Sequence, residues 1–148
     1  MKHLLWIGAA AALLMGSQLA QAADCASVLE KVKAERHLTQ VGKGETHVQF
    51  HDGPQVEVSF GCLMDKPDLL LDWDGQNPDK EYFYLVGRLG QALTGNPAAT
   101  VIKVAKTCRQ QALQDTGEIS QIENPTLVIG CQAYKRDGGA TSISIFPN

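Results

Sequence analysis

Four cysteines, Cys25, Cys62, Cys108 and Cys131, carry the clearest chemistry in this 148-residue chain. A redox or zinc centre would group them as C-x-x-C pairs or beside close histidines, whereas they stand 37, 46 and 23 residues apart. An even number so spaced in an exported chain reads as two disulfides, for which three connectivities exist. Sequential pairing, Cys25 with Cys62 and Cys108 with Cys131, ties neighbouring elements and is the expected one. By the chain-entropy model each such loop contributes ~3 to 4 kcal/mol.

His47 and His51 flank Phe50, with Asp52 next to them. On a helix this i, i+4 pair could share a metal ion. On a strand the same separation is ~13 Å, too far for two ligands that each approach one ion to ~2 Å. The local pattern is that of a strand, so the pair reads as part of a solvated polar face, and no metal or cofactor is expected.

The stretch Asp72-Trp73-Asp74-Gly75-Gln76-Asn77-Pro78-Asp79-Lys80-Glu81 is the most distinctive. Its alternating oxygen side chains resemble the opening of a calcium loop, but Gly75 comes early and Phe83 stands where a bidentate Glu should close the twelve-residue pattern. Residues 65–81 hold Asp65, Asp68, Asp72, Asp74, Asp79 and Glu81 against Lys66 and Lys80. An aromatic anchor within an acidic rim suits recognition of a basic protein, the ring supplying buried area and the carboxylates steering approach. Asp68, Asp72, Trp73 and Asp74 are therefore the expected partner-binding residues. On the third predicted helix, Lys103, Lys106 and Arg109 form a basic cluster, read as a solvated face or as a complement to the acidic segment.

Catalysis finds no signature: the chain has no G-x-S-x-G, H-E-x-x-H, P-loop or dinucleotide fingerprint. An enzyme is not expected.

The elements that must position these residues follow from composition and periodicity. The chain is 44% hydrophobic and 20% charged, which describes one ordinary globular domain and excludes collagen, coiled coil and disordered tail. A net charge of −3 excludes a sequence-independent nucleic-acid binder, which needs a basic face. Residues 1–22 have a basic start, an apolar run from Leu4 to Leu14 and an Ala20-Gln21-Ala22 site, the form of a secretory signal peptide. The run is shorter than the ~20 residues that a membrane span needs. Asp24 before Cys25 does not fit a lipid-anchor site. Residues 23–148 then form a single domain, periplasmic or secreted, with no membrane anchor after cleavage.

Within that domain, Asp24 caps a first helix with Cys25, Val28, Leu29 and Val32 on one stripe, and Gly42-Lys43-Gly44 is a flexible connector. Alternation then predicts two strands around Asp52-Gly53-Pro54, with Phe50 opposite Val56, Val48 opposite Val58 and Thr46 opposite Phe60. Residues 63–78 read as a long acidic loop with at most one short turn or strand at Leu69-Leu70-Leu71. Asn77-Pro78 and Asn96-Pro97 each start a helix as cap and first residue, and the short Thr94-Gly95-Asn96 link makes the two an antiparallel pair. Leu127 to Ala133 and Thr141 to Ile145 form a last hairpin. The order α-ββ-αα-ββ implies an α+β domain with helices packed on one face of an antiparallel sheet.

The reading these residues support is a non-catalytic binding protein, an inhibitor or immunity factor for a basic envelope-acting enzyme. The rival is a carrier of calcium or a small ligand in a pocket between sheet and helices.

Overall fold

A computed structural model describes residues 23–148, so the signal-peptide reading of 1–22 lies outside the described residues. The chain runs through α1 (Cys25–Lys33), β1 (Thr39–Lys43), β2 (His47–Asp52), β3 (Val56–Leu63), β4 (Lys66–Asp74), α2 (Lys80–Thr94), α3 (Ala98–Ala112), β5 (Ile119–Asn124), β6 (Leu127–Tyr134) and β7 (Ala140–Phe146). The strands form one seven-stranded antiparallel sheet in the order β1-β2-β3-β4-β7-β6-β5. The α+β class, the single antiparallel sheet and the helices on its inner face are as the sequence implies. No described helix is long and apolar enough to cross a membrane.

The inner face is apolar because every second strand residue is. Val48, Phe50, Val58, Phe60, Leu69, Leu71, Ile129, Ile143 and Ile145 are buried against Val28 and Val32 of α1, Leu85 and Leu89 of α2 and Val101 and Ala105 of α3. Two disulfides fasten the layers in the expected sequential pairing: Cys25–Cys62 ties α1 to β3 and Cys108–Cys131 ties α3 to β6. Asp24 caps α1 by accepting from the Ser27 amide at 2.8 Å.

Three strands go beyond the sequence reading, which had allowed at most one short turn or strand among them, at Leu69-Leu70-Leu71. The supposed connector at Gly42-Lys43 is the end of β1, paired with β2 through a bulge after Gln40. The supposed long loop at 63–78 is mostly β4: Pro67, Leu69, Leu71 and Trp73 point inward, and Leu70 on the outer face disguises the alternation as a run of leucines. The β3–β4 turn is hidden too, because its residues Met64 and Asp65 adopt positive φ angles of 52° and 57° without a glycine or asparagine. At the far edge, β5 has the polar sequence ISQIEN, which carries no strong apolar period.

The first hairpin keeps the expected faces with a shifted register. Phe50 pairs with Val58, Val48 with Phe60 and Asp52 with Val56, so the loop is Gly53 to Gln55. Asp52 stays in the ladder, Gly53 takes the left-handed φ of 62°, and Pro54, which has no amide to donate, falls in the turn. The helix starts shift as well. Asp79, not Asn77, caps α2 by accepting from the Tyr82 amide at 2.8 Å. At α3 Pro97 occupies the cap without a side-chain bond, and Asn96 instead reaches the Thr94 and Thr126 hydroxyls.

Candidate functional site

The described helices cover one side of the sheet, and the alternation that buries Leu69, Leu71 and Trp73 turns Asp68, Leu70 and Asp72 to the other side. There the ladder sets them in rows. Glu57 of β3, Asp72 of β4, Ser142 of β7 and Gln132 of β6 lie side by side, and one step along come Ser59, Leu70, Ser144 and Gly130. Asp68 lies opposite Gly61, which in turn faces His47. Serines and glycines around Leu70 leave a shallow depression of about 400 Å³ toward β5 and β6, closed by Ile119 and Gln121.

Each carboxylate on this face is placed by a neighbour. Asp72 accepts a short hydrogen bond from the Ser142 hydroxyl. Glu57 meets His51 Nε2 at 3.4 Å and accepts from Gln49 Nε2 at 3.4 Å. Asp68 folds over Gly61, where a methyl group would stand 2.6 Å from both carboxylate oxygens. Neither Asp68 nor Asp72 forms an ion pair among the described residues.

Partial burial raises the Asp68 carboxyl above the ordinary carboxylate value. Burial raises Asp72 too, the Ser142 hydrogen bond opposes that, and the charge of Glu57 adds to the rise. Both groups are held where water solvates their charge poorly and no cation compensates it. A cation brought to this face would relieve that cost, so the arrangement favours cation binding. Acyl-transfer chemistry is not arranged here: Asp72 touches Ser142, but His51 lies three strands from Ser142, ~14 Å away, which precludes a Ser-His-Asp relay.

Of the four residues expected to bind a partner, the structure brings Asp68 and Asp72 to one face and separates the others. Trp73 is not on a projecting loop. It points into the core, 8% exposed, with its ring edge-on to Tyr82 at 5.7 Å between centroids. Period two in β4 dictates this, since Trp73 stands an odd number of residues from Asp68 and Asp72. Asp74 ends the strand, exposed, with its amide donating to the Gln55 carbonyl at 2.8 Å. Among the described residues no three His, Cys, Asp or Glu side chains are grouped to hold a metal ion.

On its inner side Trp73 borders a cleft of about 400 Å³ with Gln55, Tyr82 and Leu85, and Asp52, Asp79 and Glu81 at its rim. Tyr82 is fixed by donating its hydroxyl to the Leu71 carbonyl at 2.8 Å. The indole nitrogen of Trp73 has no hydrogen-bond partner among the described residues.

Sequence reasoning placed Glu57 on the polar side of its strand but did not join it to Asp72, and it missed Ser142, Ser144 and Gly130 as parts of the same face. The outward positions of Ser142 and Ser144 follow from the alternation of Thr141, Ile143 and Ile145. What no local pattern reveals is that β7 lies beside β4. Comparison with family models, curated proteins and solved structures gave no significant match.

Proposed function

We propose that this protein is a non-catalytic binding protein of the periplasm or the secreted fraction, and that the open face of its sheet receives a basic protein partner. The observation that carries the reading is the pair Asp68 and Asp72, both partly desolvated on the outer face of β4, ~13 Å apart along the strand with Leu70 between them, and with no cation paired to either among the described residues. Long-range steering and relief of that desolvation both favour Lys and Arg on the partner. Leu70 between the two carboxylates offers an apolar centre to the same surface. Two disulfides and the secretory form of residues 1–22 support an oxidising compartment. In that compartment the role that fits is an inhibitor or immunity factor for a basic envelope-acting enzyme.

Titration calorimetry with a cationic muramidase and with an oligolysine peptide tests this. Binding should weaken at least about tenfold in the Asp68→Asn/Asp72→Asn double variant, with a shallower dependence on salt. Absence of binding to both probes, or equal binding by the variant, overturns the reading.

A second reading, a small-ligand carrier, is favoured by the cleft beside Trp73, whose rim carries Asp52, Asp79 and Glu81 while its arginine, Arg88, is paired with Glu35. Its ligand would be an organic amine drawn by the acidic rim. Fluorescence of Trp73 titrated with such amines checks it, and an unresponsive indole rejects it.

A further inference from the structure

Arg109 is held along one edge of its guanidinium only. Its Nε donates to Thr141 Oγ1 at 2.9 Å and its Nη2 to the Gln76 carbonyl at 2.7 Å. A guanidinium has five N–H donors in a rigid fork, so the edge made by Nη1 and the second Nη2 hydrogen remains without an acceptor among the described residues. Thr141 is fully buried, which fixes the orientation of the fork in advance. No carboxylate pairs with Arg109 among the described residues. Partial burial lowers its pKa below the ordinary arginine value, as expected for a cation without a counter-ion.

The guanidinium opens into a pocket of about 440 Å³ between α3, α2 and the turn after β6. Lys106 and Lys135 supply two further cations, no carboxylate lines the pocket among the described residues, and Phe83 and Leu113 form an apolar wall. Lys106 Nζ stands 5.1 Å above the Phe83 ring. In a protein of net negative charge this pocket is locally and purely cationic.

We propose that this pocket binds the phosphoryl group of a small organic phosphate, with Arg109 engaging two oxygens, Lys106 and Lys135 closing on the third, and the organic part resting on Phe83 and Leu113. A monoester dianion has the three acceptor oxygens and the double charge that a fork and two ammonium groups match, whereas a lone carboxylate would leave one cation unused. The acidic balance of the whole molecule disfavours a nucleic-acid backbone and favours an isolated phosphoryl group.

The test is titration calorimetry of the full chain with phenyl phosphate at low salt, beside inorganic phosphate, and flotation with phosphatidic acid or phosphatidylcholine vesicles. Arg109→Gln removes the fork but also two structural ties, so Lys106→Ala/Lys135→Ala, which alters exposed side chains alone, is measured with it. Phenyl phosphate should saturate the site and bind about tenfold more weakly to the double-lysine variant. Binding of phosphatidic acid vesicles in place of phenyl phosphate, lost in the same variant, assigns the phosphomonoester to a lipid and upholds the site. Equal affinity for inorganic and phenyl phosphate overturns the role given to Phe83 and Leu113. Neither phenyl phosphate nor vesicle binding, or binding that the double-lysine variant retains in full, overturns the proposal.

Discussion

Gly61 and Asp68 face each other across β3 and β4, and the Asp68 carboxylate lies where a side chain on Gly61 would begin, 2.6 Å from the position of its Cβ. The absent side chain is what lets this carboxylate lie against the sheet. In the Gly61→Ala variant the far end of Asp68 swings away at little cost, and alanine suits a strand better than glycine by about 0.5–1 kcal/mol. The gain should therefore outweigh the cost, leaving the variant up to about 0.5–1 kcal/mol more stable to urea than the parent. Asp68, moved toward water, should titrate closer to an ordinary aspartate in a carbon-detected NMR titration, and an unmoved value rejects the contact.

Burial raises the Asp68 carboxyl, and the sign of its effect on stability follows. The folded state holds this proton more tightly than the unfolded state, so its contribution to stability falls as pH rises from the ordinary aspartate range through the raised folded value. Below that range both states are protonated and the cost is absent. Asp68→Asn should therefore raise the melting temperature at neutral pH, by about 1–2 °C after allowance for solvent screening, and have no effect near pH 3. A decrease at neutral pH contradicts the unpaired environment described for this residue.

The faces of the sheet were legible in the sequence, and the order of its strands was not. Alternation assigned Val48, Phe50, Val58, Ile129 and Ile143 to the core, as found. It failed at β4, where Leu70 interrupts the polar outer row, and at the Met64-Asp65 turn, whose left-handed angles have no glycine to announce them. That failure carried over to function. Treated as a loop, residues 68–74 offered one acidic patch around Trp73. As a strand they divide by parity, with Asp68 and Asp72 outside and Trp73 inside. The cationic pocket stayed hidden for another reason: Arg109, Phe83 and Lys135 come from three elements that only tertiary packing assembles. Cysteine pairing, in contrast, was correctly read from proximity in sequence.

The two disulfides differ in access. Cys108 and Cys131 are buried beneath α3, at 0% and 5% exposure, while Cys25 and Cys62 sit half-buried at the edge of α1. Mild dithiothreitol on the folded protein should therefore open Cys25–Cys62 first, detected by alkylation and peptide mass. Their closed loops, with separations of 37 and 23, carry similar chain entropy, so replacing either pair should cost about 3–4 kcal/mol in denaturant unfolding. Reduction of Cys108–Cys131 ahead of the other pair contradicts the burial that distinguishes them.

Helices α2 and α3 approach closely at Gly90, where a methyl group would stand 2.5 Å from Val101 Cγ1 and 3.3 Å from Ile145 Cδ1. Alanine at this position gains about 1 kcal/mol of helix propensity, because glycine is the more flexible residue in the unfolded chain. Against that stands overpacking of a fully buried valine in a close-packed core, which typically costs ~1–3 kcal/mol and has no flexible side-chain end to absorb it. Packing should win. Gly90→Ala is expected to lose about 1–2 kcal/mol in urea unfolding, and pairing it with Val101→Ala should relieve the clash at the expense of a smaller core side chain. A non-additive double-mutant cycle, with the second substitution costing less in the Gly90→Ala background than alone, would establish the contact. Strict additivity would place the two residues out of touch and require a different seating of α3 on the sheet.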